Sequence, residues 1–232
     1  LDRESGETRW IYRNGRIINS TLSIGDNHAY FVECRNAKVL ASPSDRVGLP
    51  ELWENLFLVN LDLGTGKVVW EQPIAPVPGE VVFYMACGTK ALALVSSGSK
   101  SYNVYTYGVT DGKPLWNTSF AWLKDNHGGH MARPAIVGNT LYVRPQVFDL
   151  LTGVLKEQTI PGGGCGTYAA TLNALFFRNS NVTVWSADGG ESSSWSRLRP
   201  DCWLSTIPAA GLLLSPEAGG GCSCGSWMET SL

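Results

Sequence analysis

The sequence predicts an all-β propeller of four-stranded blades, and three observations lead to that fold. First, a glycine turn recurs with spacings of 60, 46, 41 and 36 residues, and a period near 40 indicates a repeat architecture. Second, a tryptophan follows most of these turns at a nearly constant distance. Third, no stretch longer than about ten residues has a convincing helical period. The turn glycines are Gly6, Gly66, Gly112, Gly153 and Gly189.

The first unit divides into four short strand candidates. After Trp10 come GRIINSTLSIG, HAYFVEC, LFLVNLDL and KVVWEQP. A polar insertion, ASPSDRVGLPELW, precedes the third of these and explains why the first spacing is the longest. The segment LPELWENL is the best helical candidate in the chain, and we expect it to make only a turn or two.

The later units follow the same plan. The second offers EVVFYMACG, KALALVSSG, SYNVYTYGV and KPLWNTSF, and YNVYTYGV has the period-two alternation of a strand. The third contains ARPAIVGN, TLYVRPQ, VFDLLTG and VLKEQTI, and the fourth contains GTYAATLN, ALFFRNS, VTVWSADGG and SSSWSRL. A fifth unit has CWLSTIPAA and GLLLSPEA. The sequence therefore predicts about five blades.

The second strand of each unit is the most apolar. Because a strand that is buried on both faces has a continuous apolar run, these strands are expected to lie between neighbouring blades. The five runs are Phe31–Val32, Ala91–Val95, Leu141–Val143, Leu175–Phe177 and Leu212–Leu214.

The recurring tryptophans are interpreted as packing residues. Trp10, Trp70 and Trp116 each stand four residues after a turn glycine, and Trp195 stands five residues after Gly190. In the fourth copy Glu157 takes this place. An indole on the outer strand can lie across the gap to the next blade and bury on the order of 150–250 Å². The glycine supplies the positive φ angle that the tight turn requires.

The segments LDRESGETRW, LDLGTGKVVW, VTDGKPLW and FDLLTGVLKE resemble the pyrroloquinoline-quinone (PQQ) repeat. They are similar to the quinoprotein alcohol dehydrogenase-like superfamily of β-propellers, with its tryptophan-docking motif. The outer-membrane assembly lipoprotein family of bacteria shares this repeat. The later segments GCGTYAATLNALFFR and RPDCWLSTIPAAGLLLSPEA resemble uncharacterised secreted bacterial proteins with the same repeat.

The resemblance implies how the chain is organised and where it acts. Residues 1–232 are expected to form one PQQ-like repeat domain that is a fragment of a longer protein. Members of this family have seven or eight blades, so about five blades imply an open arc of a larger ring. The resemblance implies a periplasmic or extracellular location.

The resemblance also permits a test for catalysis. Catalytic members hold PQQ between a tryptophan floor and two adjacent, disulfide-bonded cysteines, and bind calcium or a lanthanide with Glu, Asn and Asp. Here the CSC segment at 222–224 has an intervening serine, and no Asn-Asp pair falls in a matching context. The expected function is therefore an exported, non-catalytic binding or scaffold propeller for a protein or glycan partner. The alternative is a PQQ-dependent alcohol or sugar dehydrogenase with calcium.

Composition excludes several partner classes. The net charge is −2 and 16% of the residues are charged, which predicts neither a nucleic-acid footprint nor a polybasic membrane patch. No apolar run reaches the roughly 18 residues of a membrane span.

Six cysteines favour disulfide bonds, with free buried thiols or a metal site as the alternatives. Cys34 and Cys87 stand at comparable positions of adjacent units and are expected to pair across a blade gap. Cys222 and Cys224 are too close to pair with each other, so we expect each to meet one of the two remaining cysteines. The six candidates are Cys34, Cys87, Cys165, Cys202, Cys222 and Cys224.

Two groups of polar residues are candidate ligand-binding residues. The segment KDNHGGHMARP gathers Asp125, His127, His130 and Arg133 on one glycine-rich connection, where they form either a binding site or a solvated loop. Arg133, Arg178 and Arg199 each adjoin predicted inner strands. Because the ends of inner strands line the central channel of a propeller, these arginines are expected to face a common ligand.

Overall fold

The structure is a computed structural model that describes residues 1–44, 48–78, 83–98, 101–122, 133–162, 167–196, 198 and 206–215. These residues form eighteen strands, one short α-helix and two 3-10 helices, arranged in five successive antiparallel sheets. The predicted all-β propeller of about five blades is confirmed. Within the described part of the chain, no helix is long and apolar enough to cross a membrane.

The first blade has its innermost strand divided in two. Its strands are β1 (Arg16–Ile17), β2 (Ser23–Gly25), β3 (His28–Cys34), β4 (Leu56–Asp62) and β5 (Val68–Ile74). Both β1 and β2 pair with β3, because the 3-10 helix Asn19–Thr21 interrupts the strand that would join them. The helix α1 (Ala37–Leu40) precedes the polar insertion, and the insertion ends in the 3-10 helix Pro50–Trp53, so LPELWENL makes a single short turn.

The second blade has four strands in sequence order, and the third has three. The strands are β6 (Phe83–Cys87), β7 (Ala91–Ser97), β8 (Ser101–Gly108), β9 (Pro114–Ala121), β10 (Ala135–Val137), β11 (Thr140–Val143) and β12 (Gln146–Asp149). Where the third blade should have an outer strand, a single bridge joins Phe148 to Leu155. The four-strand prediction is therefore wrong for this blade, since VLKEQTI pairs with β12 at one bridge instead of along a ladder.

The fourth blade is again four-stranded, and the fifth is described as a hairpin. The strands are β13 (Ala169–Ala170), β14 (Ala174–Asn179), β15 (Asn181–Ser186), β16 (Ser192–Trp195), β17 (Ile207–Ala209) and β18 (Leu212–Leu214). Each sheet pairs consecutive strands in antiparallel order, as sequence neighbours do in propeller blades.

The hydrophobic core lies between the blades. One cluster joins β3 and β4 to β6 and β7, and the next two join the second blade to the third and the third to the fourth. All seven residues of β7 are buried, as predicted for a second strand. The prediction is wrong for β18, where Leu212 and Leu214 are 63% and 51% exposed, because the described residues include no sheet beyond it.

The antiparallel pairing gives every blade two distinct ends. One end, which we call the turn face, carries the hairpins at 25–28, 88–91 and 138–140 together with the glycine turns of the outer hairpins. The opposite face carries the connection between the second and third strands of each blade. The candidate sites are assigned to these two faces.

Candidate functional site

Three tryptophans dock near the turn face: Trp70 and Trp116 cross the gaps to the second and third blades, and Trp10 docks from the N-terminal segment onto the first blade. In each case the indole Nε1 donates a hydrogen bond to a backbone carbonyl of the next unit, three residues before that unit's turn glycine. The bonds run from Trp10 to Leu63 (2.8 Å), from Trp70 to Val109 (3.0 Å) and from Trp116 to Leu150 (2.9 Å). The predicted packing role of these tryptophans is therefore seen directly, and we call each position a docking slot.

Both the backbone conformation and the lack of space for a Cβ require glycine in the turn at each filled slot. The φ angles are 69° at Gly66, 68° at Gly112 and 74° at Gly153. Residues other than glycine rarely adopt such angles. In addition, a Cβ at Gly112 or Gly153 would lie 2.5 or 2.6 Å from the docked indole, and one at Gly66 would lie closer still. The indole ring therefore lies directly on the turn backbone.

Side-chain hydrogen bonds hold the turns in shape. The Oδ1 of Asp62 accepts from the backbone N–H of Thr65 at 2.7 Å and from its hydroxyl at 2.8 Å. Asp149 accepts from Thr152 in the same way, at 2.9 and 2.8 Å. These bonds favour the ionised carboxylate, so the Thr hydroxyl and N–H hold the pKa of both aspartates below the usual value.

The interface between the third and fourth blades departs from this pattern. The turn glycine is Gly190, because its N–H donates to the Ser186 carbonyl and its φ is 69°, so the assignment of Gly189 was wrong by one residue. A Cβ at Gly190 would have no atom within 4 Å. The side chain of Gln158 donates instead to the Ala187 carbonyl, at 3.4 Å.

Trp195 lies outside the docking position of its blade. It pairs with Val182 in β15, whereas the place that corresponds to Trp70 and Trp116 holds Ser193. Trp195 is 44% exposed. This displacement of two residues has two causes. One extra residue separates the turn glycine from Trp195, and β15 pairs with β16 regularly where β4–β5 and β8–β9 have a bulge.

The turn face contains a cavity with a volume of about 550 Å³. Hairpin turns of three consecutive blades form it, at Gly25, Gly88 and Gly138. A second cavity of about 390 Å³ shares Thr89 and Gly138 with it. We call the two together the turn-face groove. The side chains that line the larger cavity are Asp26, Tyr30, Cys87, Thr89, Val109 and Ile136.

Two titratable groups of this groove, Cys87 and Tyr30, are poorly suited to proton transfer or nucleophilic attack near neutral pH. Cys87 is a free thiol that donates to the Gly88 carbonyl at 3.4 Å, and burial raises its pKa. Burial also raises the pKa of Tyr30 to about 12. A protonated thiol is a weak nucleophile, so Cys87 is a poor nucleophile in this groove.

The predicted pairing of Cys34 with Cys87 is wrong. Both are free thiols, since Cys34 ends the second strand of its blade and Cys87 ends the innermost strand of the next. They consequently lie at opposite faces of the propeller. The Cys34 thiol donates to the Glu54 carbonyl at 3.3 Å, and burial raises its pKa.

The remaining predicted site residues divide into described and undescribed ones. Arg133 precedes β10, and its guanidinium lies 4.6 Å from the centre of the Tyr84 ring. Arg178 lies in β14 and is 6% exposed. Both lie at the opposite face, away from the turn-face groove. The residues outside the described part of the chain are Asp125, His127, His130, Arg199, Cys165, Cys202, Cys222 and Cys224.

Two buried charged residues were missed by the sequence analysis. Arg144, in the turn between β11 and β12, is 2% exposed and lies 5.7 Å from the Phe177 ring. Glu33 is fully buried and accepts from Tyr12 Oη at 2.9 Å and from Arg35 Nε at 2.7 Å. A lone carboxylate in the apolar strand HAYFVEC was the available signal, because buried carboxylates are almost always paired.

Across the described ranges, no group of three or more His, Cys, Asp or Glu side chains could hold a metal ion. The CSC segment at 222–224 lies outside the described residues.

Comparison with known proteins supports the fold. No protein-family model matches the chain, and no curated protein matches it. Among solved structures, the chain is similar to BamB from Moraxella catarrhalis, with a TM-score of 0.52 and 14% sequence identity over 79% of this chain. The chain spans 54% of the length of that BamB chain. The likeness shows the β-propeller fold.

Proposed function

We propose that this chain is a non-catalytic binding propeller of the PQQ-like repeat type that recognises a protein partner through the turn-face groove. The docking geometry of Trp10, Trp70 and Trp116 supports the repeat assignment, because it repeats the same indole-to-carbonyl bond at three interfaces. The proposal includes a periplasmic or extracellular location, which rests on the resemblance of the repeat.

The observation that carries the proposal is the concavity of the groove. Turns from three blades surround a cavity of about 550 Å³, which lies within the range of about 300–1,000 Å³ that is usual for binding pockets. Its walls combine exposed backbone and hydroxyl groups with the apolar side chains of Val109 and Ile136. Such a mixture favours recognition by hydrogen bonds and packing.

The extent of the groove favours a protein partner over a glycan. The second cavity continues from the first through Thr89 and Gly138, and reaches Leu150 and Leu151 of the third blade. Protein partners need about 800 Å² of surface on each side, so a protein partner would contact the surface around the groove as well as the groove itself. A protein loop can place an apolar side chain against Ile136 while its backbone bonds to the turns.

Site-specific photocrosslinking tests this proposal. A photoreactive phenylalanine analogue at Thr89, on the wall of both cavities, should crosslink to one protein in extracts of the source cell. The same analogue at Asn179, an exposed residue at the opposite face, is the matched control. With the identified partner purified, Thr89→Arg should weaken binding at least about tenfold, whereas Asn179→Arg should leave it unchanged.

Three outcomes would overturn the proposal. Equal crosslinking at both positions would place the contact elsewhere, and unchanged binding by Thr89→Arg would show that the groove is not used. In a separate measurement, the chain is incubated with PQQ and calcium. Quinone absorbance in the bound fraction, together with dye-coupled alcohol oxidation, would establish the oxidoreductase alternative.

A further inference from the structure

A cleft of about 180 Å³ lies between the third and fourth blades, at the place that corresponds to the docked indoles of the three filled slots. Its walls include Tyr142 and Val147 of the third blade and Ala187 of the fourth. Ala187 stands three residues before Gly190, as Val109 stands three residues before its own turn glycine. The cleft is therefore the fourth docking slot of the series.

The chain leaves this slot open because of a one-residue change in register. In the third blade the N–H of Lys156 donates to the Val147 carbonyl at 2.8 Å, and Lys156 and Gln158 both line the cleft. Glu157, the residue at the tryptophan position of the repeat, is exposed. Alternate residues of an extended chain point to opposite sides, so the repeat position here faces solvent.

The filled slots show what shape fits the open one. At each of them, an indole ring lies against the turn glycine, and its ring N–H donates to the carbonyl at a distance of 2.8–3.0 Å. In the open slot, Gly190 has free space at that place. The Ala187 carbonyl accepts from Gln158 at 3.4 Å, which is longer than a usual N–H···O bond.

We propose that this fourth slot binds a small planar aromatic ligand with a ring N–H, of the indole class. A cavity of about 150 Å³ is enough to bind benzene in a protein core, so 180 Å³ holds a compact aromatic ring system. The ring N–H replaces the side chain of Gln158 as the donor to the Ala187 carbonyl, and the face of the ring packs against Gly190. The ammonium of Lys156, which donates to Thr140 Oγ1 at 2.7 Å, adds a cation–π contact at the open side.

The ligand binds as a free ring compound and not as the tryptophan side chain of a partner strand. The chain's own residues 155–158 already occupy the position beside β12 where a partner strand would pair. A partner strand therefore has no room to present a tryptophan as β5 and β9 do. This site is independent of the turn-face groove, so the two proposals can fail separately.

Binding of 5-fluoroindole to the full chain, followed by fluorine NMR, tests the inference. We expect saturable binding with a dissociation constant of about 1 mM or tighter, as the small size of the ligand allows. Benzene, which lacks the ring N–H, should bind at least about fivefold more weakly in competition. No saturable binding, or equal competition by benzene, would overturn the inference.

Matched variants locate the site. Gln158→Trp should fill the slot from the chain's own side and abolish binding, whereas Glu157→Trp places the same side chain at an exposed position and should leave binding unchanged. Gly190→Ala puts a methyl group where the ring face would lie, and should weaken binding at least about tenfold even if Gln158→Trp fails to fold. Unchanged binding by Gly190→Ala would exclude this cleft as the site.

Discussion

Replacing Gly112 by alanine tests whether the docked indole, and not the turn alone, holds neighbouring blades together. Gly112 has a φ of 68°, and its new Cβ would lie 2.5 Å from Cζ3 of Trp70. Gly190 is the matched control, because its φ of 69° is almost the same while its Cβ would meet no atom within 4 Å. The two substitutions therefore share the backbone strain and differ in the contact with the ring.

The expected magnitudes follow from that comparison. A left-handed conformation costs an alanine about 1–2 kcal/mol, and this is the whole expected loss for Gly190→Ala. Forcing a methyl group into the packed ring of Trp70 adds about 1–3 kcal/mol. We therefore expect Gly112→Ala to lower the free energy of unfolding by about 3.5 kcal/mol, which is about 2 kcal/mol more than Gly190→Ala.

Urea denaturation followed by far-ultraviolet circular dichroism measures both losses. In a Trp70→Ala background, Gly112→Ala should cost the strain of the turn and the contact with Gln72, whose Cγ would lie 2.8 Å from the new Cβ. The two substitutions should therefore couple by at least about 1 kcal/mol. Equal losses for Gly112→Ala and Gly190→Ala, or strict additivity of Gly112→Ala with Trp70→Ala, would refute the docking argument.

Three further predictions concern titratable groups. Burial, and then the hydrogen bond to buried Glu33, raise the pKa of Tyr12 from about 10 to about 12. The contribution of the Tyr12 hydroxyl to stability should be complete below pH 10 and should be lost as the pH rises towards 12. Alkaline stability curves of the wild type and of Tyr12→Phe measure this loss. Thr65→Val should raise the pKa of Asp62 towards its usual value, as measured by a carboxyl NMR titration. In the wild type, the ionised Asp62 carboxylate stabilises the fold above pH 3.8, and this stabilisation should be lost as the pH falls further. Iodoacetamide at pH 8 should alkylate Cys87, which lines the groove, before fully buried Cys34, as followed by peptide mass spectrometry.

A specific result would contradict each of these three predictions. A high-pH stability curve that is the same for wild type and Tyr12→Phe would contradict the first, and an unchanged Asp62 titration in Thr65→Val would contradict the second. Faster alkylation of Cys34 than of Cys87 would mean that the burial of these thiols has been misassigned.

Much of the fold could be predicted because the repeat is written in local patterns. The strand His28–Cys34 coincides with the predicted HAYFVEC, and the three docked tryptophans stand at the predicted distance from their glycines. Alternation, apolar runs and turn glycines act within a few residues of one another, so each copy carries its own signal.

The candidate site was less predictable because it depends on register. A shift of a single residue turns Glu157 to solvent and Gln158 into the slot, and no pattern within VLKEQTI signals that shift. The same difficulty affected Cys34 and Cys87, whose similar places in the sequence belong to different strands of their blades.

The sequence by itself determined that this protein is a stack of small antiparallel sheets with a recurring glycine turn and tryptophan, because propensity, alternation and turn chemistry are local properties of the chain. Only the tertiary structure decided which junction is left open, which thiols lie at opposite faces, and that three hairpin turns enclose one groove. Those features depend on how separate blades meet, since the Ala187 carbonyl accepts from Gln158 of the preceding blade, and Gly25, Cys87 and Gly138 of three different blades line one groove.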